Sequence, residues 1–327
     1  LSAGGLEEGE EMIGTPTIAP RYWLIALLAA SPVACHRASA TSADLPADAK
    51  IGALNKGDVR FAVIGDFGTG GPDEMEVARM VASWEPSFIF TVGDNNLPSG
   101  SPADLEPHVA AAYGQFIPGN HGPFGVGPQT PRFFPALGNH DWRNPAGIAP
   151  YASFFQVPGN GRYYDVTLAD GRLQLFSLDS DPHEPDGNGP DSKQARWLKS
   201  RAAASSACLR IVAFHHAAYT SALHGGTREM RWAYREMGID AVLTGHDHTY
   251  ERLEEDGIPY FVDGLGGATI YGFHDEDPGS KVRYNAAHGA MLVTLTNAGP
   301  RYEFWSVRGE KVDTLSVAKP CKAPAAR

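Results

Sequence analysis

Five short motifs carry the residues of this chain best suited to chemistry: Gly65-Asp66-Phe67-Gly68, Gly93-Asp94-Asn95-Asn96, Gly138-Asn139-His140-Asp141, Phe214-His215-His216 and Gly245-His246-Asp247-His248. Their carboxylates, amide oxygens and imidazole nitrogens are donors for borderline divalent and trivalent cations, and glycine beside them lets the backbone turn sharply. The chemistry such a set implies is hydrolysis assisted by two bound metal ions. Each motif alone has a plainer reading, since Gly-Asp is a common strand-to-turn dipeptide and two histidines can simply share a loop. Their succession along one chain favours the metal site.

Each motif closes an apolar, β-branched or aromatic run: Val59 to Asp66, Phe88 to Asp94, Phe133 to His140, Leu209 to His216 and Asp240 to His246. Such runs predict buried strands, and parallel strands deliver their carboxyl ends to one sheet edge, where α/β folds bind ligands. Helical stretches are predicted over 73–83, 103–116, 192–204 and 227–237, alternating with the strands as in βαβ units. Short β-rich runs at 162–168, 172–178, 259–262, 290–296, 301–307 and 311–317 predict hairpins that form a second sheet. The fold class is therefore α/β, a two-sheet mixed β sandwich flanked by helices. The Gly- and Pro-rich stretches 118–131 and 181–191 read as loops over the rim of the site.

With 327 residues, 43% hydrophobic and 20% charged, the chain can bury a large core. Its formal charge of -11 argues against a nucleic-acid-binding surface. Residues 1–40 read as an N-terminal extension with a signal peptide: Arg21, the apolar stretch Trp23 to Ala30, then Ala38-Ser39-Ala40 as an A-x-A cleavage site. The predicted destination is export, periplasmic or extracellular. The apolar stretch is too short to span a membrane, and Pro32 and Val33 suit lipid attachment at Cys35 poorly. Residues 41–57 read as a linker, 58–318 as the catalytic domain and 319–327 as a C-terminal tail. Cleavage after Ala40 leaves Cys208 and Cys321, either paired or standing as one buried thiol and one loose one.

On these motifs the chain resembles the calcineurin-like metallophosphoesterases, and within them the purple acid phosphatase branch, from about Val59 to Val317. The resemblance extends to Ser177-Leu-Asp-Ser-Asp-Pro182 and Gly245-His-Asp-His-Thr-Tyr-Glu-Arg252. It implies two metal ions, Fe, Zn or Mn, about 3.5 Å apart. Asp66 and His248 would hold one, Asn139, His215 and His246 the other, with Asp94 bridging them and a metal-held water as nucleophile. It also implies that His140 contacts the phosphate or protonates the leaving group, that Asp141 fixes the orientation of His140, and that His224 contacts substrate. Both histidines also have plain readings, as a turn and a loop histidine, and His216 reads as a supporting neighbour. The implied partner is a small phosphate ester or phosphorylated substrate, a monoester in preference to a diester, with no nucleic acid and no membrane span.

Two positions depart from the resemblance. The branch carries a tyrosine ligand where this chain has Leu97, and Gly68 stands where other members carry a histidine. Loss of the phenolate removes the main preference for ferric iron and predicts a colourless protein. Asn96 is expected to bond backbone in its tight turn. The rivals are a phosphate- or metal-binding protein weakened at Leu97, and a purely structural metal site, which the surplus of histidines disfavours. Gly264 to Gly267 reads as a strand-end turn rather than a nucleotide loop. Trp142, Tyr151, Tyr219 and Tyr250 read as rim or packing residues, with Tyr219 the favoured rim residue.

Overall fold

The computed structural model describes residues 54–321, so the expected signal peptide, most of the linker and the end of the tail lie outside the described residues. Strands β1 (Val59–Ile64), β2 (Phe88–Thr91) and β3 (Phe133–Phe134) run parallel and are joined through β1 by antiparallel β11 (Gly289–Thr296), β12 (Gly299–Ser306) and β13 (Lys311–Ser316). The order of this six-stranded sheet is β13-β12-β11-β1-β2-β3. The second sheet has seven strands in the order β10-β8-β9-β7-β6-β5-β4. Its members are β4 (Tyr164–Leu168), β5 (Leu173–Ser177), β6 (Leu209–His216), β7 (Ala241–Gly245), β8 (Tyr250–Glu255), β9 (Ile258–Asp263) and β10 (Ser280–Tyr284).

Alternation within β1 shows why its run looked uniformly apolar. Phe61 and Val63 pack between the sheets with Leu175, Ile211 and Phe261, whereas Ala62 and Ile64 pack outward against Val77 and Val81 of the helix Pro72–Ser83. Successive strand residues face opposite sides, so a strand covered on both faces shows no polar alternation. The second sheet is covered in the same way, with Val212, Phe214 and Val242 lying under Leu198 of the helix Lys193–Ala204.

The expected hairpins do not form a sheet of their own. Non-local pairing divides them: β11 to β13 extend the first sheet, with Val59 opposite Leu295, while β4 and β8 to β10 flank β6 and β7. The motif strands are thus split between the two sheets, and their ends meet across the sandwich.

The expected helix over 227–237 is absent. Only Arg228–Met230 forms a single 3-10 turn. From its last residue onward Met230, Trp232 and Tyr234 are buried while Arg231 and Ala233 are exposed, a period of two imposed by large side chains packing on the second sheet. The expected helix over 103–116 is broken by a π segment, Leu105–Ala110, and closes on a 3-10 turn, Gly114–Phe116. Pro107 lies inside the π segment and lacks the N–H that an α-helical ladder requires. Short helices at Asn139–Trp142 and Ala149–Phe155 and the strands β8 and β10 were not expected. A disulfide joins Cys208 to Cys321, with their Cα atoms 5.5 Å apart. Among the described residues no helix is long and apolar enough to cross a membrane.

Candidate metal centre

Asp66 follows β1, Asp94 follows β2, and His246 follows β7, each with a left-handed backbone at φ 57°, 51° and 72°. Non-glycine residues rarely adopt this conformation, and it costs about 1–3 kcal/mol at each position unless the surroundings enforce it. Here it turns each side chain back over the sheet edge. The motif glycines have a second role beyond turning. A Cβ on Gly93 would lie 2.6 Å from His215 Nδ1, one on Gly138 2.2 Å from Asp94 N and Oδ1, and one on Gly245 2.6 Å from Asp66 Oδ2. Each glycine therefore vacates the space that a donor from a neighbouring element fills.

The donors converge on His215 Nε2. Asn139 Oδ1 lies 3.1 Å from it, Asp94 Oδ2 3.2 Å and His246 Nδ1 3.2 Å. His215 is fully buried, and its Nδ1 lies 2.9 Å from the Val92 carbonyl, which fixes the ring. Burial alone disfavours an imidazolium, but Asp94 and Asp66 outweigh it and push His215 up to about 10. Burial would likewise raise Asp94, yet His215 holds its carboxyl well below the usual range. Beside them, burial and His215 hold His246 far below the ordinary imidazole value, and they pull His216 down to about 3. Two imidazole nitrogens, a carboxylate and an amide oxygen drawn to one point fit a borderline cation, and the ligand atoms of Asp94, His215 and His246 lie within 4.8 Å of one another.

Asp66 and His248 form the neighbouring pair. His248 Nε2 lies 3.3 Å from Asp66 Oδ1, and its Nδ1 is 2.6 Å from the Thr269 carbonyl. Asp66 also accepts the His246 N–H at 3.0 Å and stands 4.0 Å from His215 Nε2, which links the two groups.

His140 Nε2 lies 3.8 Å from Asp94 Oδ2, and its backbone N–H donates to Asp94 Oδ1 at 2.8 Å. Asp141 is not the partner of its ring. The Asp141 carboxylate accepts from Gly138 N at 2.9 Å and Asn95 Nδ2 at 2.8 Å, tying down the Gly-Asn-His-Asp turn, while His140 Nδ1 meets the Pro98 carbonyl. The geometric reason is that in a helical turn of four residues, Asn139–Trp142, adjacent side chains diverge. Burial, helped by Asp94, pushes Asp141 up to about 7. His224 stacks on His246 at 4.0 Å, and its Nδ1 lies 3.0 Å from Asp247 Oδ1. His216 Nδ1 bonds the Ser180 hydroxyl at 2.9 Å.

Asn96 Nδ2 donates to the Ser101 carbonyl at 2.7 Å, a backbone partner in its turn. Leu97 is half-buried and donates its N–H to the Gly68 carbonyl at 3.1 Å. A side chain at Gly68 is impossible without rearrangement, since its Cβ would sit 2.1 Å from the Asn95 carbonyl oxygen. Tyr219 is not at the rim: it meets Tyr260 edge-on at 5.2 Å under Arg231. Tyr151 and Tyr250 are buried packing residues whose hydroxyls donate to the Pro135 carbonyl and Asp313. Two further residues border the site outside the five motifs. Arg143 Nη1 lies 2.9 Å from His140 Nδ1, and Tyr271 stacks on His248 at 4.0 Å. Arg143 could have been found from its place one turn after His140, whereas Tyr271 has no local spacing signal and arrives through the fold.

The sequence profile described as calcineurin-like phosphoesterase matches residues 59–250, a stretch that runs through all of these donors. The chain belongs to the calcineurin-like phosphoesterase family. It is a metal-dependent phosphoesterase hydrolase of the purple acid phosphatase-like branch. Purple acid phosphatase 17 of Arabidopsis thaliana is 23% identical over 291 residues, spanning 79% of this chain and 84% of that relative. Tartrate-resistant acid phosphatase type 5 of Mus musculus is 26% identical over 245 residues, 64% of this chain and 72% of the relative. The fold is shared with a purple acid phosphatase from yellow lupin seeds, at a TM-score of 0.61 and 16% identity over 79% of this chain and 53% of that one. It is also shared with GAP50, described as the anchor in the inner membrane complex of Plasmodium, at a TM-score of 0.62 and 18% identity over 81% and 89%.

Proposed function

We propose that this chain is an exported, binuclear phosphomonoesterase, with Asn139, His215 and His246 holding one cation, Asp66 and His248 the other, and Asp94 between them. The observation that carries the reading is the position of Asp94: its Oδ2 lies 3.2 Å from His215 Nε2 and 3.8 Å from His140 Nε2, between the buried donor cluster and the partly exposed His140. Bound cations would neutralise the phosphoryl oxygens and activate water for in-line attack.

The protein's own residues do the rest. The Nδ1 edge of His140 is occupied by the Pro98 carbonyl and by Arg143 Nη1, so Nε2, on the side of Asp94, is the ring nitrogen left for proton transfer to substrate. The Asp247 carboxylate likewise fixes the Nδ1 proton of His224 and leaves its other ring nitrogen to the substrate. Arg143, exposed beside His140, adds a fixed positive charge for a monoester dianion. The Cys208–Cys321 disulfide supports an oxidising, exported location for a phosphoesterase that acts on small phosphate esters.

A second reading, a phosphate- or metal-binding protein without turnover, draws on Leu97 and Gly68, which deny the Asp66–His248 position a further side-chain donor. The GAP50 neighbour, an anchor by its description, shows the fold in a protein not described as an enzyme. Elemental analysis of the pure protein, with turnover of an aryl monoester and an aryl diester before and after chelation and metal add-back, separates the two. Two metal ions per chain and chelator-sensitive monoester turnover are expected. One ion or none, with no turnover restored by Zn, Mn or Fe, overturns the hydrolase reading in favour of binding.

A further inference from the structure

The glycine-rich turn after β9 ends in an aromatic residue outside every motif. The Tyr271 ring lies flat on the His248 imidazole, with centroids 4.0 Å apart and planes 12° from parallel, and meets His224 edge-on at 5.4 Å and 66°. Its backbone is anchored at both polar atoms: the N–H donates to the His248 carbonyl at 3.0 Å, and Asn285 Nδ2 donates to its carbonyl at 2.8 Å. Since Thr269 of the same turn meets His248 Nδ1, one loop holds this histidine by its ring face and by its proton.

The hydroxyl is treated differently from those of the packing tyrosines. Tyr151 and Tyr250 spend their O–H groups on Pro135 and Asp313, whereas the Tyr271 hydroxyl, on a half-buried ring, has no hydrogen-bond partner among the described residues. The ring that carries it is wedged against two histidines of the site, His248 and His224. A neutral donor without a protein partner, carried beside two histidines of the site, is suited to a phosphoryl oxygen, because an O–H donating to an anion makes a charge-assisted bond.

We propose that Tyr271 is a substrate-binding residue whose hydroxyl donates to a phosphoryl oxygen while its ring fixes the His248 imidazole. The inference rests on the phosphoesterase reading above and names a residue through which that site grips its substrate. Two variants of the full chain, Tyr271→Phe and Tyr271→Leu, test the two halves, with inorganic phosphate as the probe and bound metal counted per chain.

Y271F keeps the ring and is expected to keep its metal content, bind inorganic phosphate about tenfold more weakly and raise KM for an aryl phosphate by a similar factor, with kcat within about twofold. Y271L is expected to lose phosphate binding and also to hold the Asp66–His248 ion less tightly. Y271F binding phosphate as the wild type does overturns the hydroxyl's role, and a folded Y271L with undiminished metal affinity overturns the ring's. If Y271L does not fold, Y271F decides the hydroxyl's role, and Tyr271→Met, which keeps bulk without the flat ring, decides the ring's through its bound metal. A wild-type chain with neither metal nor turnover overturns the phosphoesterase reading and this inference with it.

Discussion

Substituting Gly138 by alanine adds one methyl group at the point where two motifs touch. Its Cβ would stand 2.2 Å from both Asp94 N and Asp94 Oδ1, and 2.9 Å from Asp94 Cα, about 1.2 Å short of ordinary contact at 3.4 Å. No rotamer relieves the clash with the Asp94 backbone, so Asp94 and the Gly138 turn must move apart by about 1 Å. Backbone conformation is not the obstacle, because Gly138 has φ -118° and ψ 173°, which any residue adopts. The displaced atoms include Asp94 Oδ1, which receives the His140 N–H at 2.8 Å, and Asp94 Oδ2, which sits 3.2 Å from His215. Overpacking of this kind costs about 1–3 kcal/mol, and a shift of about 1 Å in a catalytic constellation costs about 10²-fold in rate. Thermal unfolding, metal content and kcat/KM on an aryl monoester, measured on G138A and on G189A, test the reasoning. Gly189 has no atom within 4 Å of its would-be Cβ and should be neutral. A G138A protein within about threefold of wild type in kcat/KM, with full metal content, would refute the claim that this glycine exists to make room for Asp94.

Three further outcomes are expected. Iron-loaded wild type should be colourless because Leu97 offers no phenolate, and Leu97→Tyr loaded in the same way should gain a visible charge-transfer band; a band in the wild type sinks the idea. Cys321→Ser should lower stability by about 2–4 kcal/mol in denaturant titration, since the bridge spans a sequence separation of 113 residues. Its turnover should stay unchanged, because Cys208 precedes β6 and His215 lies at the other end of that strand. Asp141→Ala should cost about 2–4 kcal/mol by stranding the buried Gly138 and Asn95 donors; a loss confined to turnover at full stability would return Asp141 to the role of orienting His140.

The donors that the structure gathers were legible because each is chemically distinctive and closes an apolar run, and the covering of both strand faces made those runs conspicuous. Sheet membership was not legible. Nothing local in the 290–296 run says that Leu295 will pair with Val59 rather than with a neighbouring hairpin. Strand β8 was hidden by its own composition: in Tyr250–Glu255 the charged Glu251 is buried, its carboxylate accepting the Ser221 N–H at 2.7 Å, so the polar letters conceal an inner strand. The 227–237 stretch misled for the opposite reason, because a helix-compatible composition lost to three large side chains alternating at 230, 232 and 234. The broken 103–116 helix could have been foreseen from Pro107. Tyr271 could not, since a ring stacked on a histidine from another turn leaves no trace in spacing.

In the two-ion centre proposed above the halves are unequally built, and the inequality explains several features together. Around His215 the protein supplies Asp94, Asn139 and His246, and three of these four side chains are held by a strained backbone turn or a buried hydrogen bond. Around Asp66 it would supply His248 and, on the proposed assignment, a share of Asp94, with Leu97 inert and Gly68 sterically barred from carrying a ligand. A weaker donor set gains most from rigidity, because donors fixed in advance lose less entropy on binding. His248 is the donor whose freedom is most restricted from outside the motifs, through the Thr269 carbonyl and the flat face of Tyr271. On that proposal the glycine-rich turn after β9 compensates in preorganisation for what the Leu97 position lacks in ligation.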